Sequence, residues 1–118
     1  MILASLIMDF APDKVDEVLQ ILRSIVESTR VQAGCVFCSV YQDIETENQI
    51  FFVQKCKSDE DLQRHLGSEE YQKVLMVLEM ALKHPEIRFD IISGCTGIET
   101  IEKARSQARS TYLPSPSL

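Results

Sequence analysis

The sequence predicts a single small α+β domain in which four strand-like segments and two amphipathic helical segments follow the order β-α-β-β-α-β. The length of 118 residues suits one domain. Apolar residues make up 45% of the chain, which is enough for a core. This order is the split βαβ, or ferredoxin-like, arrangement, in which both helices cover one face of a four-stranded antiparallel sheet.

The first strand and the first helix are separated by a proline turn. Residues 1–10 are almost wholly apolar, which is typical of a short strand covered on both faces. Pro12 breaks this strand, and Asp13 is expected to cap the helix that follows. Apolar side chains then recur at helical spacing to about residue 31: Val15, Val18, Leu19, Leu22, Ile25 and Val26. Gly34 ends the connection to the next strand.

The middle of the chain predicts a β-hairpin followed by a short helix. Residues 36–43 and 49–57 are strand-like and flank a polar turn. Ser58 and Asp61 have the spacing of a capping box. A short helix is therefore expected to begin there and to end near Gly67.

The rest of the chain completes the domain and adds an extension. An apolar stripe over 68–82 predicts that the helix resumes, and 86–93 is the last strand. We therefore assign residues 1–97 to the domain. The remaining residues, 98–118, are expected to form a C-terminal helix over 98–109 and then a tail without a fold of its own.

Both faces of the predicted sheet are apolar. In the first strand, Ile2 and Leu6 lie on one face, whereas Leu3 and Ile7 lie on the other. An antiparallel sheet with one wet face should instead alternate apolar and polar side chains. Because one chain has helices for only one face, we expect a homodimer in which two sheets pack face to face.

Charge and hydropathy exclude two classes of partner. The net charge is −6, and Lys and Arg are scattered, so nucleic-acid binding is not expected. No apolar run approaches the about 20 residues that a membrane span needs. The N-terminal stretch lacks the basic region of a signal peptide, and a cytoplasmic location is therefore expected.

The four cysteines invite a redox or metal interpretation, because Cys35 and Cys38 have the CxxC spacing. A redox CxxC opens a helix, whereas this one opens a predicted strand. Residues three apart on a strand point to opposite faces, so the two thiols should diverge. No second CxxC or histidine pair completes a zinc set. We expect reduced thiols in the core and no metal.

Several motifs together resemble the antibiotic biosynthesis monooxygenase family of dimeric α/β barrels. They cover roughly residues 1–95 and lie in the order of the family. They are the Pro12 turn, the Ala33-Gly34-Cys35 entry to strand two, Tyr41, Asn48, the string Phe51-Phe52-Val53-Gln54-Lys55-Cys56, the segment Leu62-Gln63-Arg64-His65-Leu66, Ser68 and Tyr71.

The resemblance implies a cofactor-independent monooxygenase that acts on a small aromatic or quinol substrate. In such enzymes the substrate supplies the electrons, and the protein supplies an apolar pocket with a few polar groups. By this resemblance, His65 is the candidate catalytic residue, as a base or a phenolate-binding group near neutral pH. The substrate-binding candidates are Tyr41, Cys56 and Tyr71. No cofactor is implied.

Other interpretations of these residues stay open. His65 could be an exposed or cap-region histidine, and the tyrosines could be core residues. The family's Glu-x-Trp is here Gln54-Lys55-Cys56, which favours a second hypothesis: a non-catalytic small-molecule-binding or stress-associated dimer. The positions that correspond to those used by the haem-degrading branch hold Leu6, Cys56 and Leu75, so haem degradation by that mechanism is excluded.

Overall fold

The computed structural model describes the backbone of residues 1–112 and the side chains of residues 1–109. It confirms the predicted order of elements and the ferredoxin-like fold. The elements are β1 (Ile2–Asp9), α1 (Val15–Arg30), β2 (Cys35–Gln42), β3 (Gln49–Cys56), α2 (Asp59–Leu66), α3 (Tyr71–Glu79), β4 (Glu86–Ile91) and α4 (Ile98–Tyr112). The four strands form one antiparallel sheet in the order β2-β3-β1-β4.

The helix ends differ in detail from the sequence expectations. Ser58 caps α2 by accepting a hydrogen bond from the backbone N–H of Asp61, as predicted. Asp13 does not cap α1, because it lies inside a 3-10 turn over Pro12–Lys14 whose last residue, Lys14, occupies the cap position. α4 runs to Tyr112, three residues beyond the expected end of the helix. The rest of the expected tail, 113–118, lies outside the described residues.

The helix-facing side of the sheet carries the core. Alternate residues of β1 and β3 are buried there, and they pack against the apolar stripe of α1 and against α3. A smaller cluster under α2 contains Ile2, Ala4, Cys56 and Leu62, with Leu66 packed against it. The apolar stripe of α1 therefore lies where its sequence periodicity placed it, whereas Leu75 of the predicted α3 stripe is 48% exposed.

The opposite side of the sheet, here called the open face, carries a second set of apolar side chains. Strand register brings Ile7 and Tyr41 to either side of Phe51. All are half-buried or exposed, and Tyr41 is 50% exposed. The apolar members of the open face are Leu3, Ile7, Phe37, Tyr41, Phe51 and Val53.

β2 begins with a β-bulge, which changes the side-chain directions that the sequence predicted for the cysteines. The pairing of β2 with β3 shifts by one residue between Cys35 and Phe37, so Val36 is the extra residue. The bulge offsets the alternation, and Cys35 and Cys38 both pack on the helix-facing side. The expectation that the two thiols diverge is therefore wrong.

Gly34 is required where the chain turns from α1 into β2. Its φ is +83°, in the left-handed region that favours glycine. A Cβ at this position would also overlap the carboxyl group of Asp61, which is held by Ser58 and Arg64. Both the dihedral angle and the close approach to α2 therefore exclude a side chain.

Substitution Gly34→Ala is expected to lower the free energy of unfolding by about 2 kcal/mol or more, because it combines left-handed strain with a steric overlap. Gly94→Ala is the matched control, since nothing lies within 4 Å of a Cβ built there and its φ is not positive. That change should stay within about 0.5 kcal/mol of the wild type. Urea unfolding followed by circular dichroism measures both, and equal effects of the two substitutions would contradict this account.

Candidate functional site

A cleft of ≈ 500 Å³ lies between α2 and the strands β1 and β4. Most of its wall is apolar, and Asp59 and Gln63 add two polar side chains from α2. The apolar lining residues are Met1, Ile2, Leu62, Leu66, Phe89 and Ile91. The cleft is therefore an apolar space with hydrogen-bonding groups along one wall.

The cleft exists because α2 covers β1 and β3 but not the edge strand β4. Leu62 fills the space over Ile2 and Cys56. Two side chains of β4 on the same side of the sheet, Phe89 and Ile91, line the cleft and stay exposed, and Ile91 is 84% exposed. Apolar and charged residues alternate in β4, which gives this edge strand an apolar helix-facing side. No helix of the described chain covers that side.

His65 lies on a different side of α2 and is buried, with 4% of its surface exposed. Its Nδ1 is 2.9 Å from Oε1 of Gln32, so Nδ1–H donates to the amide oxygen and Nε2 carries the lone pair. Nε2 is buried without a hydrogen-bond partner in the described part of the chain. The ring meets Tyr71 edge-on, with centroids 5.3 Å apart.

Burial sets the protonation of this pair. It lowers the pKa of His65 below its ordinary value, and the nearby Glu70 carboxylate opposes that shift. Burial raises the pKa of Tyr71. At neutral pH the site therefore holds a neutral imidazole with a free lone pair beside a protonated phenol.

Glu70 is fixed beside this pair by α1. Its Oε1 accepts a hydrogen bond of 2.5 Å from the hydroxyl of Ser28 and lies 3.5 Å from Nζ of Lys73. The Ser28 hydrogen bond, ahead of the effects of Lys73 and His65, lowers the pKa of Glu70. Glu70 therefore stays ionised next to His65.

His65 does not line the cleft, although the family resemblance makes it the candidate catalytic residue. The cleft-facing residues of α2, Asp59, Leu62, Gln63 and Leu66, follow the i, i+3, i+4, i+7 spacing of one helix face. His65 falls on the flank that turns toward α1 and α3. The alternative of an exposed histidine in a polar helix is also wrong, because the side chain is buried.

The other candidates fall in three places. Tyr71 joins His65. Cys56 is buried beneath α2, in the cluster that also contains the cleft residues Ile2 and Leu62. Tyr41 lies on the open face, on the other side of the sheet. One chain therefore brings His65 and Tyr71 together and separates both from Tyr41.

Sequence reasoning missed Gln32 and the β4 side of the cleft. Gln32 follows α1 in a polar connection, and nothing in its spacing indicates a histidine partner 33 residues later. The alternation of Phe89 and Ile91 with charged residues was visible, and it could have indicated an edge strand with one apolar side.

Metal-site and membrane-span patterns are both absent from the described part of the chain. Among side chains 1–109, no group of three or more His, Cys, Asp or Glu side chains has the arrangement of a metal site. Within residues 1–112, no helix combines the length and the apolar character of a membrane span.

Comparison with solved structures supports the fold. The chain is similar to a conserved protein from Methanosarcina mazei Go1, with 24% identity and a TM-score of 0.71 over 75% of this chain and 89% of that one. It is also similar to a Deinococcus radiodurans protein proposed to be an antibiotic biosynthesis monooxygenase, with 15% identity and a TM-score of 0.76 over 83% and 98% of the two chains. A third similar structure, from Mycobacterium tuberculosis, has 16% identity and a TM-score of 0.73 over 81% and 98%.

Comparison of sequences supports the family. No curated protein sequence matches the chain. The family model described as antibiotic biosynthesis monooxygenase matches residues 1–75, which contain β1 to β3, α2 and both members of the His65–Tyr71 pair. With more than half of the sequence matched and the same fold in the solved relatives, the chain belongs to the antibiotic biosynthesis monooxygenase family.

Proposed function

We propose that the protein is a cofactor-independent monooxygenase that oxidises a small aromatic or quinol substrate bound in the cleft between α2 and β4. The observation that carries this proposal is the cleft itself. Its volume of ≈ 500 Å³ and its largely apolar wall suit a flat molecule of one to three rings. The family supports oxygenation as the class of reaction.

In the reaction that we propose, the substrate itself reduces dioxygen. One atom of dioxygen enters the substrate and the other leaves as water, and the substrate supplies the electrons. Asp59 and Gln63 are placed to hydrogen-bond substrate hydroxyl groups at the cleft wall. The apolar side chains around them exclude water, which strengthens each polar contact.

We propose His65 as the base that favours the deprotonated substrate. Its neutral imidazole and unpartnered Nε2 support this role. Because His65 lies on the flank of α2, contact with a substrate requires movement where α2 joins α3. In this proposal Tyr71 binds the substrate next to the base, and Cys56 packs beneath the cleft residues Ile2 and Leu62.

The experiment that tests the cleft is oxygen uptake with a panel of quinols and anthrones. Leu66→Trp should fill the cleft and lower uptake by at least about 10-fold, since the indole would occupy the space of the substrate. Leu75→Trp is the matched control, because Leu75 is exposed on α3 and does not line the cleft. Equal uptake by the two variants would rule out this cleft as the site.

The second candidate is a non-catalytic binding protein. It is favoured by the separation of His65 from the cleft and by Gln54 and Cys56, which are buried in place of the family's carboxylate and indole. Wild-type protein that binds the panel, as measured by thermal shift, but consumes no oxygen would support this candidate over the first.

We also propose a cytoplasmic homodimer that forms through the open face. Within residues 1–112, α1, α2 and α3 lie on the other side of the sheet and leave the apolar residues of this face uncovered. A second open face would bury them and would bring Tyr41 of each chain into the interface.

A further inference from the structure

Three cysteines lie near one another at the end of the β2–β3 hairpin beneath α2. Cys35 is half-buried, whereas Cys38 and Cys56 are buried. Burial and then the nearby Cys35 raise the pKa of Cys38 to about 12, and the same two causes raise the pKa of Cys56. Cys35, Cys38 and Cys56 are here called the thiol cluster.

Strand register places two members of the cluster directly opposite each other. Cys35 and Cys56 are Cα partners, so their side chains point to the same side of the sheet. The backbone N–H of Lys57 donates to the carbonyl of Gly34 at 2.9 Å, one residue outside the pair on each strand. This pattern makes Cys35 and Cys56 a non-hydrogen-bonded pair, in which Cα atoms lie about 4.5 Å apart and side chains come closest.

That separation falls within the range of disulfides, whose Cα atoms lie about 4.4–6.8 Å apart. The other pairings in the cluster are longer. Cys38 is opposite Gln54, so Cys38 and Cys56 are diagonal neighbours at about 7–8 Å. Cys35 and Cys38 are three residue steps apart along the strand, which span about 10 Å before the shortening by the bulge.

We propose that Cys35 and Cys56 form a reversible cross-strand disulfide, which makes this end of the hairpin a redox-sensitive site. Cys56 also packs against the cleft residues Ile2 and Leu62, but formation of the disulfide does not depend on the proposed oxygenase chemistry. The oxidant that we name is a small-molecule disulfide such as oxidised glutathione.

The steps balance as ordinary thiol–disulfide exchange. The Cys35 thiolate attacks one sulfur of the small disulfide, which forms a mixed disulfide and releases one thiolate. The Cys56 thiolate then attacks the Cys35 sulfur, forms the Cys35–Cys56 bond and releases the second thiolate. The two protons of the protein thiols pass to the two released thiolates, so the protein loses two electrons and the small disulfide gains them.

Cys35 is the entry point because it is the more exposed thiol of the pair. Burial raises its pKa, while the backbone N–H of Phe37 and the Arg30 guanidinium oppose that shift. Cys56 is the resolving thiol, and its sulfur is 3.5 Å from the amide nitrogen of Gln54. Because Cys56 packs under Leu62, the new bond would tie β2 and β3 together directly below α2.

The test uses full-length Cys95→Ser protein, since the exposed Cys95 would otherwise react with the oxidant. The folded protein is incubated with oxidised glutathione at about pH 8.5, near the ordinary pKa of a cysteine. The remaining thiols are then alkylated with N-ethylmaleimide in denaturant and counted by intact mass. Because the chain has four cysteines, the reduced protein of this variant carries three adducts.

The expected result is one adduct in most chains after oxidation, with three restored by dithiothreitol. A tryptic digest should show Cys56 linked to the peptide that contains Cys35. The linkage should persist when Cys38→Ser is added and disappear when Cys35→Ser is added. Circular dichroism checks that each variant is folded.

Three results would overturn the proposal. The first is three adducts after oxidation, and the second is a linkage that requires Cys38. The third is a stable glutathione adduct on Cys35 that Cys56 does not resolve.

Discussion

The substitution Phe51→Asp is expected to convert the proposed dimer into monomers. Phe51 lies at the centre of the open face, between Ile7 and Tyr41. Two chains that pack through this face would bury the new carboxylate without a partner, which costs about 3–5 kcal/mol. The symmetry of a homodimer places the cost on both chains. The dissociation constant should therefore rise by more than about 10²-fold.

Light scattering at micromolar concentration measures this result directly. Wild type should give twice the chain mass of 13.4 kDa, and Phe51→Asp should give the chain mass itself. Tyr41→Asp is a second test with less risk to the fold, because Tyr41 is already exposed in the single chain. Ser24→Asp, on the exposed side of α1, is the matched control and should remain dimeric. A monomeric wild type would rule out the proposed face-to-face dimer.

The substitution His65→Gln is expected to lower oxygen uptake by about 10²-fold or more, the usual scale for the loss of a general base. Glutamine has a similar length and keeps a polar group near Gln32, but it cannot accept and hold a proton. His84→Gln is the matched control, since His84 is exposed. Uptake by the control should equal that of the wild type.

The pH dependence separates catalysis from a structural role. Burial keeps the pKa of His65 below 6.5, so the neutral base persists at pH 7. Oxygen uptake by the wild type should therefore be constant above pH 7 and should fall only below pH 6.5 as the imidazole gains a proton. If His65→Gln retains wild-type uptake across this range, His65 serves to join α2 to the connection that follows α1 and is not the base.

The lowered pKa of His65 also makes the stability of the fold depend on pH. The folded-state pKa of His65 is lowered, so the unfolded chain takes up this proton at higher pH than the folded one. The contribution of neutral His65 is present above pH 6.5 and is lost as the pH falls through the folded-state pKa. His65→Gln should show less of this loss than the wild type.

Much of the fold follows from local sequence patterns. The apolar spacing of α1, the Ser58 cap of α2 and the apolar strands flanking the polar turn are short-range signals, and the structure confirms each of them. The two apolar faces of β1 were equally visible, because alternation along a strand assigns each side chain to a face. These features depend on neighbours in the chain and can be predicted from the sequence.

The details of the site depend on contacts between distant parts of the chain. The bulge after Cys35 reverses the expected direction of a thiol, and the sequence does not mark it. The rotation of α2 is decided by Leu62 and Leu66, whose burial turns His65 away from the cleft toward Gln32.

Local patterns are thus enough to predict the element order, the sheet with two apolar faces and the family resemblance. Which side chains meet depends on packing between the elements. It paired His65 with Tyr71, opposed Cys35 to Cys56, and opened a cleft beside β4. Periodicity fixes which face of an element is apolar, whereas strand register and helix rotation are set by packing between elements far apart in the chain.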